Sequence, residues 1–162
     1  MLNGFMNKAV IDTNVLVAVT DSNDKWHEKT PALLDALRFQ NIGIVWFDCV
    51  INETISVLAW RTEEQKRSGQ LSSLLDSLSR MIPPEEITWI SSETRRLYDD
   101  ILEQILKSEG KLNFHDAMMA LCCREYGITL MVSFDKDFDT VSWLKRVEKP
   151  DDILPACQLS GS

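Results

Sequence analysis

The sequence predicts an α/β protein: a central, mostly parallel sheet of four or five strands with helices on both faces, a three-layer α/β/α arrangement. Three observations lead there. Short apolar runs such as Lys8–Ile11 and Ile42–Phe47 have strand length, and longer amphipathic stretches separate them. Polar, glycine or proline breaks punctuate the chain between these segments. The alternation of strand and helix calls for crossover connections, which are almost always right-handed, and ligands of such open sheets bind beyond the carboxyl ends of the strands.

In chain order, Lys8–Ile11 reads as a buried strand ending in the polar Asp12-Thr13-Asn14, ahead of a second apolar run, Val15–Val19. Thr20–Asp24 reads as a loop in which Ser22 or Asp24 caps a helix over about Trp26–Phe39, with Leu33, Leu34 and Leu37 on its apolar face. Ile42–Phe47 is a second strand, and Asp48 is placed to cap a helix through Val50, Ile51, Ile55 and Leu58. Arg61–Gln70 reads as a turn or exposed helix, and Leu71–Met81 as a helix with a leucine stripe. After Pro83-Pro84, Glu86–Ile90 fits a third strand, and Ser91–Glu93 opens a helix closed by Gly110. Asn113 caps a helix over about Phe114–Tyr126, which Gly127 ends; Thr129–Ser133 is a fourth strand and a fifth lies near Val147.

The 162 residues fit one domain, over residues 1–150, with 151–162 as a C-terminal tail. A hydrophobic fraction of 44% and five tryptophans supply a full core. No run approaches the roughly 18 apolar residues of a membrane helix and no signal peptide is visible, which points to the cytoplasm. Cys49, Cys122, Cys123 and Cys157 lack zinc-type spacing and read as reduced core residues. The net charge of −8 argues against a broad basic face for passive RNA binding, but a site that gathers carboxylates for cations starts acidic.

Four carboxylates stand where a parallel sheet collects them. Asp12 ends the first strand, Asp135 follows the fourth, and Glu53 lies early in the helix after the second. Asp116 lies in the first turn of the helix leading to strand four, and joins the others if that helix begins near the same edge. Each also has a plainer role: Asp12 and Asp135 as turn residues, Asp116 as a helix-dipole partner, Glu53 as a solvated helix residue. Together they would repel, by roughly 4 kcal/mol for unit charges about 4 Å apart even at an effective dielectric of about 20. Protons or cations relieve such crowding, and all-oxygen ligation favours hard ions such as Mg²⁺ or Mn²⁺. His27 and His115 read as packing or capping residues rather than ligands.

The segments carrying these residues resemble the motifs of PIN-domain nucleases. Val10-Ile11-Asp12-Thr13-Asn14-Val15-Leu16-Val17 resembles the first motif, and Trp26-His27-Glu28-Lys29 the segment after it. Asn52–Leu58 resembles the second motif, Leu112–Ala117 the third, and Ser133-Phe134-Asp135-Lys136-Asp137-Phe138 the last. The likeness spans roughly residues 8–148 and is greatest to VapC-type toxins of toxin–antitoxin pairs. It implies Mg²⁺- or Mn²⁺-dependent hydrolysis of RNA, with Asp12, Glu53, Asp116 and Asp135 as catalytic metal-holding residues. Thr13, Asn14, Ser133 and Asp137 would be auxiliary. It further implies a homodimer and an antitoxin protein as partners. Lys145, Arg146 and Lys149 form a basic group able to track an RNA backbone, and residues 62–110 form a long helical segment suited to a clip or dimer surface. The alternatives are a catalytically silent PIN-like module binding RNA or protein, an RNA-processing nuclease without an antitoxin, and a phosphohydrolase of another α/β type. The last usually carries a second Asp two residues after the first, where this chain has Asn14.

Overall fold

The computed structural model describes residues 7–153. Cys157, the first residues of the chain and most of the expected tail 151–162 lie outside them. All five strands are parallel, and the sheet order is β3-β2-β1-β4-β5, with β1 (Asn7–Ile11) at the centre. β1 pairs with β2 (Ile42–Phe47) on one side and β4 (Leu130–Val132) on the other. β3 (Ile87–Thr88) and β5 (Lys145–Val147) form the edges. The chain winds outward from β1 through β2 to β3, then returns to lay β4 on the opposite side. The topological switch point therefore lies between the carboxyl ends of β1 and β4, where such sheets bind ligands.

The apolar run Val15–Val19 belongs to α1 (Thr13–Thr20). Val15, Leu16, Val17 and Ala18 are all buried, so the segment carries no helical stripe for the sequence to reveal. The expected helix from Trp26 divides into a 3₁₀ turn, His27–Lys29, and α2 (Thr30–Phe39), with the Thr30 hydroxyl donating to the His27 carbonyl at 2.8 Å. Neither element has a side-chain cap: Asp24 instead braces the turn before them, accepting the Trp26 N–H at 2.8 Å.

Asp48 does not cap α3 from outside. It is the first residue of α3 (Asp48–Glu64), and its buried carboxylate accepts the N–H groups of Ile90 and Ser91. This explains why β3 is shorter than Glu86–Ile90: Ile87 and Thr88 pair with Trp46 and Phe47, and then Asp48 takes the next donors away from the ladder. α3 also absorbs the start of the charged stretch, ending at Glu64. α4 (Leu71–Met81) packs back on α3, and α5 (Thr94–Lys107) packs on α6 (Phe114–Glu125), so residues 62–110 join the helical layers. Gly127, at φ +67°, closes α6 in a conformation that costs other residues more.

The core runs continuously through both sides of the sheet, from Leu33 and Leu37 on α2 to Met118 and Leu121 on α6. Cys49, Cys122 and Cys123 are free and buried, and burial pushes the Cys49 and Cys122 thiols up to about 12. They are inert packing residues. No helix among the described residues is long and apolar enough to cross a membrane.

Candidate active site

Beyond the carboxyl ends of β1 and β4 a pocket of about 220 Å³ is lined by Asp12, Thr13, Asn14, Glu53, Asp116 and Asp135. Four elements deliver the four carboxylates. Asp12 is fixed at the end of β1, where its N–H bonds the Val132 carbonyl of β4 at 2.9 Å and its Oδ1 caps α1 through the Thr13 N–H at 2.7 Å. Glu53 comes from α3, and its Oε2 accepts the Thr13 hydroxyl at 2.9 Å. Asp116 comes from the first turn of α6, whose start does lie at this edge. Asn113 and Asp116 form a reciprocal capping box, the Asn113 side chain accepting the Asp116 N–H at 2.9 Å and Asp116 Oδ2 accepting the Asn113 N–H at 3.1 Å. Asp135 follows β4, held by the Asp137 N–H on its Oδ1 at 2.9 Å.

Ser133 ties the first and last of these together. Its buried hydroxyl donates to Asp12 Oδ2 at 2.6 Å and accepts the Asp135 N–H at 2.9 Å. Asn14 bridges the same loops, donating to Asp12 Oδ2 at 3.0 Å and accepting the Phe134 N–H at 3.2 Å. Asn14 is thus a neutral brace for Asp12, where an aspartyl-nucleophile phosphohydrolase would place a second acid.

The electrostatics are those of crowded, partly desolvated anions. Burial pushes the Asp12 carboxyl up to about 7; the charges of Asp116 and Glu53 add to this, and hydrogen bonds from Ser133 and the Thr13 N–H oppose it. Burial likewise raises Asp116 to about 6, with Glu53 and Asp135 adding their repulsion against the Asn113 N–H bond. Among the described residues no three acidic, histidine or cysteine side chains already enclose an ion-sized point. The carboxylates instead ring an open volume. Asp116 and Asp135 each commit one oxygen to their own turn, and among the described residues no hydrogen bond holds the other. An all-oxygen ring with spare lone pairs and room for water suits Mg²⁺ or Mn²⁺, which keep part of their hydration shell.

Other anticipated residues lie outside the pocket. Arg146 is spent inside the fold, with its guanidinium at 2.8 Å from Asp139, 2.7 Å from Glu148 and 3.1 Å from the Ser133 carbonyl. It braces the loop after β4. Lys145 is exposed on the edge strand, and Lys149 lines a neighbouring pocket. His27 Nδ1 lies 2.7 Å from the Ala18 carbonyl, a packing role, and His115 is exposed. The pocket also includes residues that sequence reasoning did not assign to it: Asp24, Trp26 and Arg61. Arg61 pairs with Asp24 at 2.6 Å. Glu53, Val57 and Arg61 follow one another at four-residue steps on α3, which was a usable signal, since each neighbours the next on the helix surface.

A parallel α/β sheet with a carboxylate-lined pocket at its switch point defines the class. The family follows from comparison: residues 9–144 match the PIN domain, and the chain belongs to the PIN-domain nuclease family. Solved structures with the same fold include VapC20 of Mycobacterium tuberculosis, a toxin that cleaves the sarcin–ricin loop. It is 18% identical with a TM-score of 0.64, covering 83% of this chain and 95% of that one. VapBC2 of Rickettsia felis, bound to a DNA fragment from its promoter, matches at 17% identity and a TM-score of 0.62, covering 86% and 97%. A Pyrobaculum aerophilum protein matches at 17% identity and a TM-score of 0.54, covering 90% and 93%. No curated protein sequence matches the chain significantly.

Proposed function

We propose that this protein is an Mg²⁺- or Mn²⁺-dependent endoribonuclease and the toxin of a toxin–antitoxin pair. The observation that carries the reading is the convergence of Asp12, Glu53, Asp116 and Asp135 from four elements on one pocket, two of them raised towards neutrality by burial and mutual repulsion. The VapC-type neighbours support the toxin assignment, and the sarcin–ricin activity of one of them supports RNA as the substrate class.

Asp12, Glu53, Asp116 and Asp135 would hold the cation, directly or through water. A divalent cation bound there supplies an acidified water as nucleophile and positive charge for the phosphoryl oxygens. The chain itself provides orientation. Ser133, Asn14 and the Thr13 N–H fix both oxygens of Asp12, and the Thr13 hydroxyl holds Glu53 against α1. No histidine faces the pocket as a general base, and the chemistry assigned to the cation needs none. The acidic rim repels RNA phosphates until cations neutralise it, so substrate binding and metal binding are coupled.

The same reading includes a VapB-type partner with a basic segment for the acidic pocket, and a second copy of the chain. The exposed stripe Tyr98, Leu102 and Leu106 along α5 offers apolar surface for that copy. Sedimentation of the purified chain checks the dimer. The central test is hydrolysis of RNA by the full chain with Mg²⁺ or Mn²⁺, with EDTA, and with Asp116→Asn. Cleavage that needs both the cation and Asp116 is expected; intact RNA in every arm, with no heat of cation binding by calorimetry, sinks the proposal in favour of a silent binding module.

A further inference from the structure

Beside the carboxylate pocket lies a second one of about 390 Å³, walled by Trp26, Ala32, Phe134 and Pro150 and edged by Lys29, Lys149 and Glu148. Trp26 lines both pockets, so the two share a wall. The Trp26 and Phe134 rings lie with centroids 4.8 Å apart at 40°, and the Lys25 ammonium sits 4.0 Å from the Trp26 ring centre. Among the described residues Lys25, Lys29 and Lys149 enter no ion pair, while Glu148 is neutralised by Arg146 at 2.7 Å. The Trp26 indole N–H likewise donates to no described protein group. Aromatic rings interleaved with unpaired ammonium groups are what single-stranded nucleic acid binds: bases stack on the rings and phosphates meet the cations.

The position of this platform is tied to the carboxylates. Phe134 directly precedes Asp135, and its N–H is held at 3.2 Å by the Asn14 side chain that also donates to Asp12. Trp26 is anchored by its N–H on Asp24, which pairs with Arg61 in the carboxylate pocket. We propose that Trp26 and Phe134, with Lys29 and Lys149, bind one unpaired nucleotide next to the scissile phosphate, stacking its base and neutralising its phosphate. This rests on the ribonuclease reading, and it makes Trp26 a positioning residue for a single-stranded RNA segment. A buried acidic pocket alone repels RNA; the platform supplies the attraction that brings a strand across it.

The test is anisotropy of the full chain with a mixed-sequence single-stranded oligoribonucleotide and with an abasic strand of equal length, alongside RNA hydrolysis in Mn²⁺. Trp26→Ala is expected to weaken binding of the base-bearing strand roughly tenfold, the scale of one lost stacking contact, while Trp26→Phe retains most of it. The abasic strand should bind wild type and Trp26→Ala alike. Lys149→Gln, a change at an exposed side chain, should weaken both strands and lower the salt slope by about one. Equal affinity of wild type and Trp26→Ala for the base-bearing strand overturns the proposal, as does an equal loss for both strands, which marks a collapsed loop instead of lost stacking. Wild type that binds with this pattern yet hydrolyses no RNA brings down the ribonuclease reading while leaving the stacking platform standing.

Discussion

The two ends of helix α1 carry aspartates that are both little exposed to solvent and oppositely treated. Asp12, before its first residue, is 6% exposed; Asp21, just past its last, is 2% exposed. Burial raises both. At Asp21 the Arg67 hydrogen bond, the Asn23 N–H and the charges of Arg67 and Arg61 outweigh burial and hold the carboxyl below its usual value. At Asp12 the neighbours are further acids and the carboxyl rises to about 7. Asp24 is likewise ion-paired, with Arg61 at 2.6 Å. Asp12 is the more deeply desolvated of the two, and it also lacks the countercharge that Asp21 receives. One end is neutralised by the chain and serves stability; the other is left short of positive charge, which marks it as a place for something the chain does not contain.

The largest expected effect breaks the unneutralised end. Asp116→Asn can keep its capping bond, because the amide oxygen can accept the Asn113 N–H as Asp116 Oδ2 does. It should cost RNA cleavage more than the roughly 10–100-fold typical of losing a group that only supports a metal ligand. Metal-free stability near neutral pH should meanwhile rise, by about 1 kcal/mol after screening, measured by urea unfolding. Activity lost together with stability would mean that Asp116 matters as a cap alone.

The mirror experiment breaks the neutralised end. Removing Arg67 leaves Asp21 buried without its 2.8 Å partner, and Arg67→Ala should cost about 3 kcal/mol in the same unfolding assay. RNA cleavage by the folded fraction should change little.

Titration separates the two ends by sign. Asp12 and Asp116 have folded values raised above 3.8, so the folded chain retains protons that the unfolded chain has released. Their contribution to stability therefore declines as pH rises from about 4 to about 7, and the penalty is absent at lower pH. Asp21, with its value lowered, contributes fully at neutral pH and loses its effect as pH falls below 3.8 through the folded value. In metal-free buffer the melting temperature should thus fall between about pH 5 and pH 7.5, and Mn²⁺ should restore it at the higher pH and barely move it at the lower. A Mn²⁺ effect equal at both would contradict cation binding by these carboxylates.

Two smaller changes sharpen the picture. Asn113→Ala removes the side-chain half of the capping box and should cost about 1 kcal/mol, while the Asp116 carboxylate keeps its bond to the backbone N–H of residue 113 and cation binding changes little. Thr54, fully buried beside Glu53, has a hydroxyl with no hydrogen-bond partner among the described residues. Thr54→Val should leave stability unchanged or raise it by up to about 1 kcal/mol.

Much of this was legible in the sequence for definite reasons. β2 was visible with both boundaries because six consecutive apolar or glycine residues end at Asp48, and α4 because its leucines repeat at helical spacing. Asp12, Glu53 and Asp135 were legible because strand ends and the following helix starts share an edge in parallel sheets, whereas Asp116, on the helix before β4, rested on the resemblance. α1 was not, since a helix buried on nearly every side has no polar face to betray its period. β3 was overestimated because nothing local shows that Asp48 captures the N–H groups of Ile90 and Ser91. Arg146 read as a free cation because composition does not show that its near neighbours in sequence, Asp139 and Glu148, turn their carboxylates onto its guanidinium. The missing information was long-range pairing at Asp48 and local loop geometry at Arg146.

The central position of β1 also sets a timetable. β1 and Asp12 leave the ribosome well before the strand that completes their surroundings, β4, which comes some 120 residues later. No nascent chain ending before Ser133 contains the hydroxyl that orients Asp12, and none ending before Asp135 has the fourth acid. The helices can form as they emerge, because their contacts are local, while the edge between β1 and β4 must wait until β4 has been made. The four carboxylates therefore cannot meet until the loop after β4 has been translated, and a product truncated before Asp135 never gathers them.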